Sequence, residues 1–95
     1  MIYYFIKITD NKNPSYFFID LTTQKNYKNR ICGLRSKAIQ YYHTNQGPFR
    51  NIYDIFTKDY SFYKVDTQEF QSYKEAKLYT QELHDTYLKK LSCEI

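Results

Sequence analysis

Residues 2–9 place an apolar or aromatic side chain at five consecutive positions before Lys7 interrupts the run. Ile2, Tyr4, Ile6 and Ile8 alternate with Tyr3 and Phe5. In an extended chain successive side chains point to opposite faces, so this segment reads as a strand that is apolar on both sides and must be covered on both. The chain has 95 residues and a mass of 11.6 kDa, which leaves no room for a linker and a second core. Residues 1–95 are therefore read as one domain, burying roughly 60–65% of the unfolded surface.

The polar run from Asp10 to Ser15 is built from turn formers, and Tyr16 to about Thr22 resumes strand chemistry, so a β-hairpin follows. From Tyr27 the period changes. Tyr27, Ile31, Leu34, Ala38 and Tyr41/Tyr42 recur every three or four residues, which predicts a helix of about four turns. Gly33 is an internal weakness of that helix, costing up to about 1 kcal/mol against alanine unless close packing requires it. The segment from His43 to Pro48 ends it, and Phe49, Ile52 and Phe56 suit a short second helix. Tyr60 to Val65 returns to strand chemistry. Ser72-Tyr73-Lys74-Glu75 matches a capping box, and the helix it opens carries a buried stripe of Tyr73, Ala76, Tyr79, Leu83, Tyr87 and Leu91. The expected fold class is α+β, a small three-stranded, mainly antiparallel sheet flanked by helices in the order β-β-α-α-β-α.

The formal net charge is +4, unevenly spread. Residues 1–50 carry eight basic and two acidic side chains, and residues 51–95 carry six basic and eight acidic ones. Between residues 21 and 50 there are six cations and no anion. On the first helix Arg30 and Lys37 line one edge of the apolar stripe and Lys28 and Arg35 the other. Such asymmetry points to an anionic partner such as a phosphate backbone, with a solvated helix face as the plainer alternative. The 12 Tyr and 7 Phe raise two readings, stacking platforms for bases or a composition drawn from AT-rich codons.

Cys32 and Cys93 lie far apart with no histidine at ligand spacing, so no zinc site is expected. Reduced thiols in a cytoplasmic or nuclear setting are the expectation, with one long-range disulfide as the alternative. The apolar start lacks a basic leader, and no run approaches the roughly 20 apolar residues of a membrane span. His43 and His84 are single imidazoles, and Gly33 and Gly47 form no phosphate loop.

The hairpin segments Tyr4-Phe5-Ile6-Lys7-Ile8-Thr9 and Phe18-Ile19-Asp20-Leu21-Thr22-Thr23-Gln24, followed by a helix bearing Arg30, resemble a GIY-YIG nuclease domain. Lys7-Ile8-Thr9, Thr22-Thr23-Gln24 and Arg30 are the best matches. The resemblance implies two tyrosines, an arginine and a metal-binding glutamate at one site. Here the tyrosine positions hold Ile6 and Phe18 (Phe17 with a one-residue shift), and the glycine positions hold Tyr4 and Asp20. Leu34 stands where the family often has histidine, and Thr80 where it has glutamate. Ile6, Phe18, Leu34 and Thr80 supply no phenol or carboxylate at those positions, although Tyr3, Tyr4, Tyr16, Tyr27, Asp66 and Glu69 lie near enough in sequence to substitute.

The reading placed first is a catalytically degenerate domain of this kind, using no cofactor and binding nucleic acid, DNA in the first instance, through Lys25, Lys28, Arg30, Arg35 and Lys37. A structural or adaptor role in a protein assembly, including homo-oligomers, is the second. An active nuclease with a relocated site is the third, in which Mg or Mn bridges the scissile phosphate and Arg30 is the catalytic residue. Together the resemblance and the AT-biased composition point to a large DNA virus or mobile element, and to an intracellular or virion-associated location.

Overall fold

The two-sided strand becomes the centre of a sheet. A computed structural model describes residues 1–42, 54–57 and 59–93, with the side chains of 1–37, 54–57 and 59–90. Strands β1 (Ile2–Asp10) and β2 (Phe17–Thr22) precede helix α1 (Tyr27–Tyr42); a helical turn at 54–56 then leads to β3 (Tyr60–Glu69) and helix α2 (Tyr73–Cys93). The order is the expected β-β-α-α-β-α. The strands lie in the order β2-β1-β3 and every pairing is antiparallel. His43, Pro48, Phe49, Arg50 and Ile52 lie outside the described residues.

Each face of β1 carries its own cluster. Ile6 and Ile8 join Ile31 and Leu34 of α1 and Ile55 and Phe56 of the helical turn, with Tyr4, Phe18, Tyr27, Tyr60 and Phe62 packed around them. On the opposite face Tyr3, Phe5 and Leu21 join Ala76 of α2, with Val65, Phe70, Tyr79 and Leu83 at the margin. Phe5 and Ile6 are both fully buried, one on each side. Full burial of side chains this size contributes about 1.5–3 kcal/mol apiece.

Local chemistry sets the connections. In the hairpin loop Asp10 Oδ1 accepts the Lys12 N–H at 2.9 Å, and the Tyr16 N–H donates to the Asn13 carbonyl at 2.9 Å, an aspartate-led turn. Ser72 caps α2 by accepting the Glu75 N–H at 3.2 Å. β3 runs four residues beyond the expected Val65, because Ile2 to Phe5 of β1 offer Asp66 to Glu69 a continuous ladder that outweighs their weak strand preference. Val65 is the extra residue where the register shifts opposite Phe5 and Ile6, a β-bulge. Tyr73, expected in the buried stripe of α2, is instead 60% exposed. Ala76 already meets Leu21 near the end of β2, so the turn before it overhangs the sheet. The side chain of Leu91 lies outside the described residues.

Phe5→Ala should lower unfolding stability by about 3–5 kcal/mol in urea titrations, a large-to-small change in a filled core. Nothing approaches within 4 Å of where a Gly33 Cβ would stand. Gly33→Ala should therefore stabilise the protein by up to about 1 kcal/mol in the same titration.

Candidate nucleic-acid interface

α1 is held to the sheet by Ile31 and Leu34, and this fixes where its cations point. Lys28 and Arg35 flank the buried stripe on one side, Arg30 and Lys37 on the other. The outward arc between them carries Asn29, Cys32, Gly33 and Ser36, all exposed and all small. Cys32 is a free thiol. Lys25, just before the helix, together with Lys28, Arg35 and Lys37, is exposed, and none pairs with a carboxylate among the described residues. Short side chains at the centre with long cations at the margins let a phosphodiester backbone approach the helix while lysine and arginine reach its oxygens from both sides.

Arg30 is placed differently. Its Nε donates to Asp20 Oδ2 at 2.9 Å and its Nη2 to Asp20 Oδ1 at 3.2 Å, a two-pronged pair in which the carboxylate is nearly buried and the guanidinium one-third exposed. The hydrogen bond to Asp20 strengthens the guanidinium's hold on its proton. Two of its five N–H groups are spent on this partner. Arg30 also lines a polar hollow of about 310 Å³ with Tyr3, Thr22, Thr23, Gln24 and Tyr73. The expected binding set thus divides into four open cations and one arginine whose charge is already countered.

The positions marked by the nuclease resemblance are distributed as follows. Ile6 is sealed in the apolar cluster beneath α1. Phe18 and Thr80 line one groove of about 510 Å³ between β2 and α2, together with Ile19, Lys77, Leu78, Gln81 and His84. Thr80 Oγ1 donates to the Lys77 carbonyl. Arg30 lines the other hollow. Among the described residues there is no group of three or more His, Cys, Asp or Glu side chains placed to hold a metal ion. Of the substitutes, Tyr3 is buried, Tyr4 and Tyr27 pack on the core, Tyr16 sits in the hairpin loop and Glu69 is exposed at the end of β3.

Asp66 has a structural partner instead. It accepts a short hydrogen bond from the Tyr79 hydroxyl, a 2.8 Å bond from the Thr67 N–H and a 3.3 Å bond from Gln68 Nε2, tying β3 to α2. The bond from Tyr79 pulls the Asp66 carboxyl below its ordinary range. The same bond, with burial, pushes the Tyr79 phenol up to about 12. Sequence reasoning also missed the surroundings of Lys7, whose Nζ lies 4.5 Å from the Tyr87 ring centre, 5.0 Å from Phe17 and 5.9 Å from Tyr63. The sequence signal was a lysine interrupting an apolar strand, and its meaning depended on which rings the other elements brought to it.

Comparison with protein-family models finds no match, and comparisons with curated proteins and with solved structures find no significant match either. No helix among the described residues is long and apolar enough to cross a membrane.

The Asp66–Tyr79 bond gives a signed pH dependence. The Asp66 contribution is complete above its unfolded value near pH 4 and fades as pH falls through its lower folded value; the Tyr79 contribution is complete below about pH 10 and fades as pH rises through about 12. Tyr79→Phe should cost about 1 kcal/mol at neutral pH, with the gap from the wild type closing as urea unfolding is repeated at progressively lower pH. A gap of constant size would assign the bond no part in acid stability.

Proposed function

We propose that this chain is a catalytically degenerate GIY-YIG-like domain that binds nucleic acid through the cationic outer surface of α1. The observation that carries the reading is the arrangement of Lys25, Lys28, Arg35 and Lys37, exposed and without carboxylate partners among the described residues, around an arc of small side chains. Every contact of this kind goes to phosphate, so binding is set by charge density and carries little base preference. Arg30 contributes its remaining N–H groups at the hollow it shares with Tyr73, an exposed ring beside a guanidinium and a place where a single base can stack.

Loss of catalysis is supported by what stands at the marked positions. A phenol is replaced by Ile6 and by Phe18, the carboxylate by Thr80, and the arginine is clamped by Asp20. A hydrocarbon cannot orient a water, and an arginine countered by a fixed carboxylate offers little positive charge to a developing oxyanion.

The test is fluorescence anisotropy with labelled single-stranded DNA, duplex DNA and RNA over a range of salt. Four phosphate contacts predict a log–log salt slope of roughly −3 to −4, about a hundredfold loss of affinity for a fourfold rise in salt. Lys28→Glu with Arg35→Glu should abolish most binding, whereas Arg30→Lys should alter it little. A flat salt response, or no binding to any of the three, would refute the reading.

A further inference from the structure

The geometry points to a second use of the molecule that does not depend on nucleic-acid binding: we propose that β2 is a self-association edge, on which two copies of this chain join antiparallel into one six-stranded sheet. Among the described residues β1 is paired on both sides and nothing pairs beyond its neighbours, so β2 and β3 are the sheet's edges. The Asp10 N–H donates to the Tyr16 carbonyl at 3.0 Å, and the residue pairs continue as Ile8 with Phe18, Ile6 with Asp20 and Tyr4 with Thr22. By antiparallel alternation the backbone groups of those β2 residues face β1, and the N–H and C=O of Phe17, Ile19 and Leu21 face outward.

The two edges are unequally protected. β3 carries Lys64, Asp66 and Glu69 and is broken by the bulge at Val65, devices that discourage edge pairing. β2 carries a single charge, Asp20, which Arg30 draws away onto the α1 face. Phe18 and Ile19 point to opposite faces of β2 yet border the same groove, so that groove follows the open edge. Leu78 of α2, 62% exposed, lies along it.

The occupant is a second copy because the charges beside this edge are self-complementary. Leu21 packs with Ala76, while Phe17 lies 4.8 Å from the His84 ring centre, so α2 runs antiparallel to β2 and Ile19 stands level with residues 80–81. A two-fold axis through Ile19 and Gln81 satisfies strand and helix together. Phe17 then faces Leu21 of the second copy, and Leu78 faces its His84. Lys77 meets Asp85 of the second copy twice, once on each side of the axis, as an isologous interface requires. Asp85 is more than half exposed and is held through Oδ1 by Gln81 Nε2 at 3.2 Å, and among the described residues its other oxygen is open to a partner.

Sedimentation of the full chain across two decades of concentration tests this, with hydrogen exchange read at β2. A monomer–dimer equilibrium is expected, with amide protection of Ile19 rising as dimer forms. Lys77→Glu and Asp85→Lys should each weaken dimerisation roughly five- to tenfold, and the two together should restore it. Leu78→Lys, a surface change that leaves the core intact, should weaken it as well. A strict monomer throughout, a dimer indifferent to all three changes, or a dimer without added Ile19 protection would each overturn the proposal. Lys28→Glu with Arg35→Glu should leave the dimer unchanged, which separates failure of this inference from failure of the nucleic-acid reading.

Discussion

The structure depends on the burial of adjacent residues Phe5 and Ile6 on opposite sides of one strand. A strand with a single apolar face can end a sheet and show the other face to water. β1 cannot, so it must lie between two strands and between two layers of helix. α1 with the helical turn closes one side, and α2 closes the other. Everything relevant to function follows from which layer a residue joins. The cations of α1 project from one side of the sheet, while Lys7, the Asp66–Tyr79 tie and the groove-lining face of α2 belong to the other.

The same division explains where charge and aromatic surface are used. Lys7 leaves the central strand on the α2 side and ends among three rings, where its charge is met by their faces. Arg30 turns back onto β2 and is countered by Asp20. The four open cations are thus not simply a share of a basic sequence; they remain after the fold has engaged the others nearest the core. Most described rings are likewise engaged, as in the edge-to-face contacts of Phe5 with Tyr79 and of Phe56 with Tyr60. Tyr16, Tyr63 and Tyr73 are the described tyrosines with the largest exposure, and of these only Tyr73 shares a hollow with a member of the cationic set.

Much of the fold was legible because its signals are local. The helix from Tyr27, the Ser72 cap and the hairpin all follow from spacing and turn chemistry over a few residues. β3 beyond Val65 was not legible, since Asp66 to Glu69 carry no strand signal and are extended only by pairing with β1. The burial of Tyr73 was expected from the helical period and fails because the sheet ends beneath it. At the candidate site the positions of Lys28, Arg35 and Lys37 could be read from helical rotation. The pairing of Arg30 with Asp20 could not, since it joins residues ten apart on different elements whose relative placement no local pattern records.

By itself the sequence determined a two-sided strand, the order of the elements, the inward stripe of α1 and the excess of cations between residues 21 and 50. These are properties of single segments, governed by side-chain periodicity and charge. Only the tertiary structure decided which cation is clamped and which is open, that Phe18 and Thr80 border one groove, and that β2 is the less protected edge. Each of those is a relation between segments, and it arises when the burial of β1 on both faces forces the other elements into place around it.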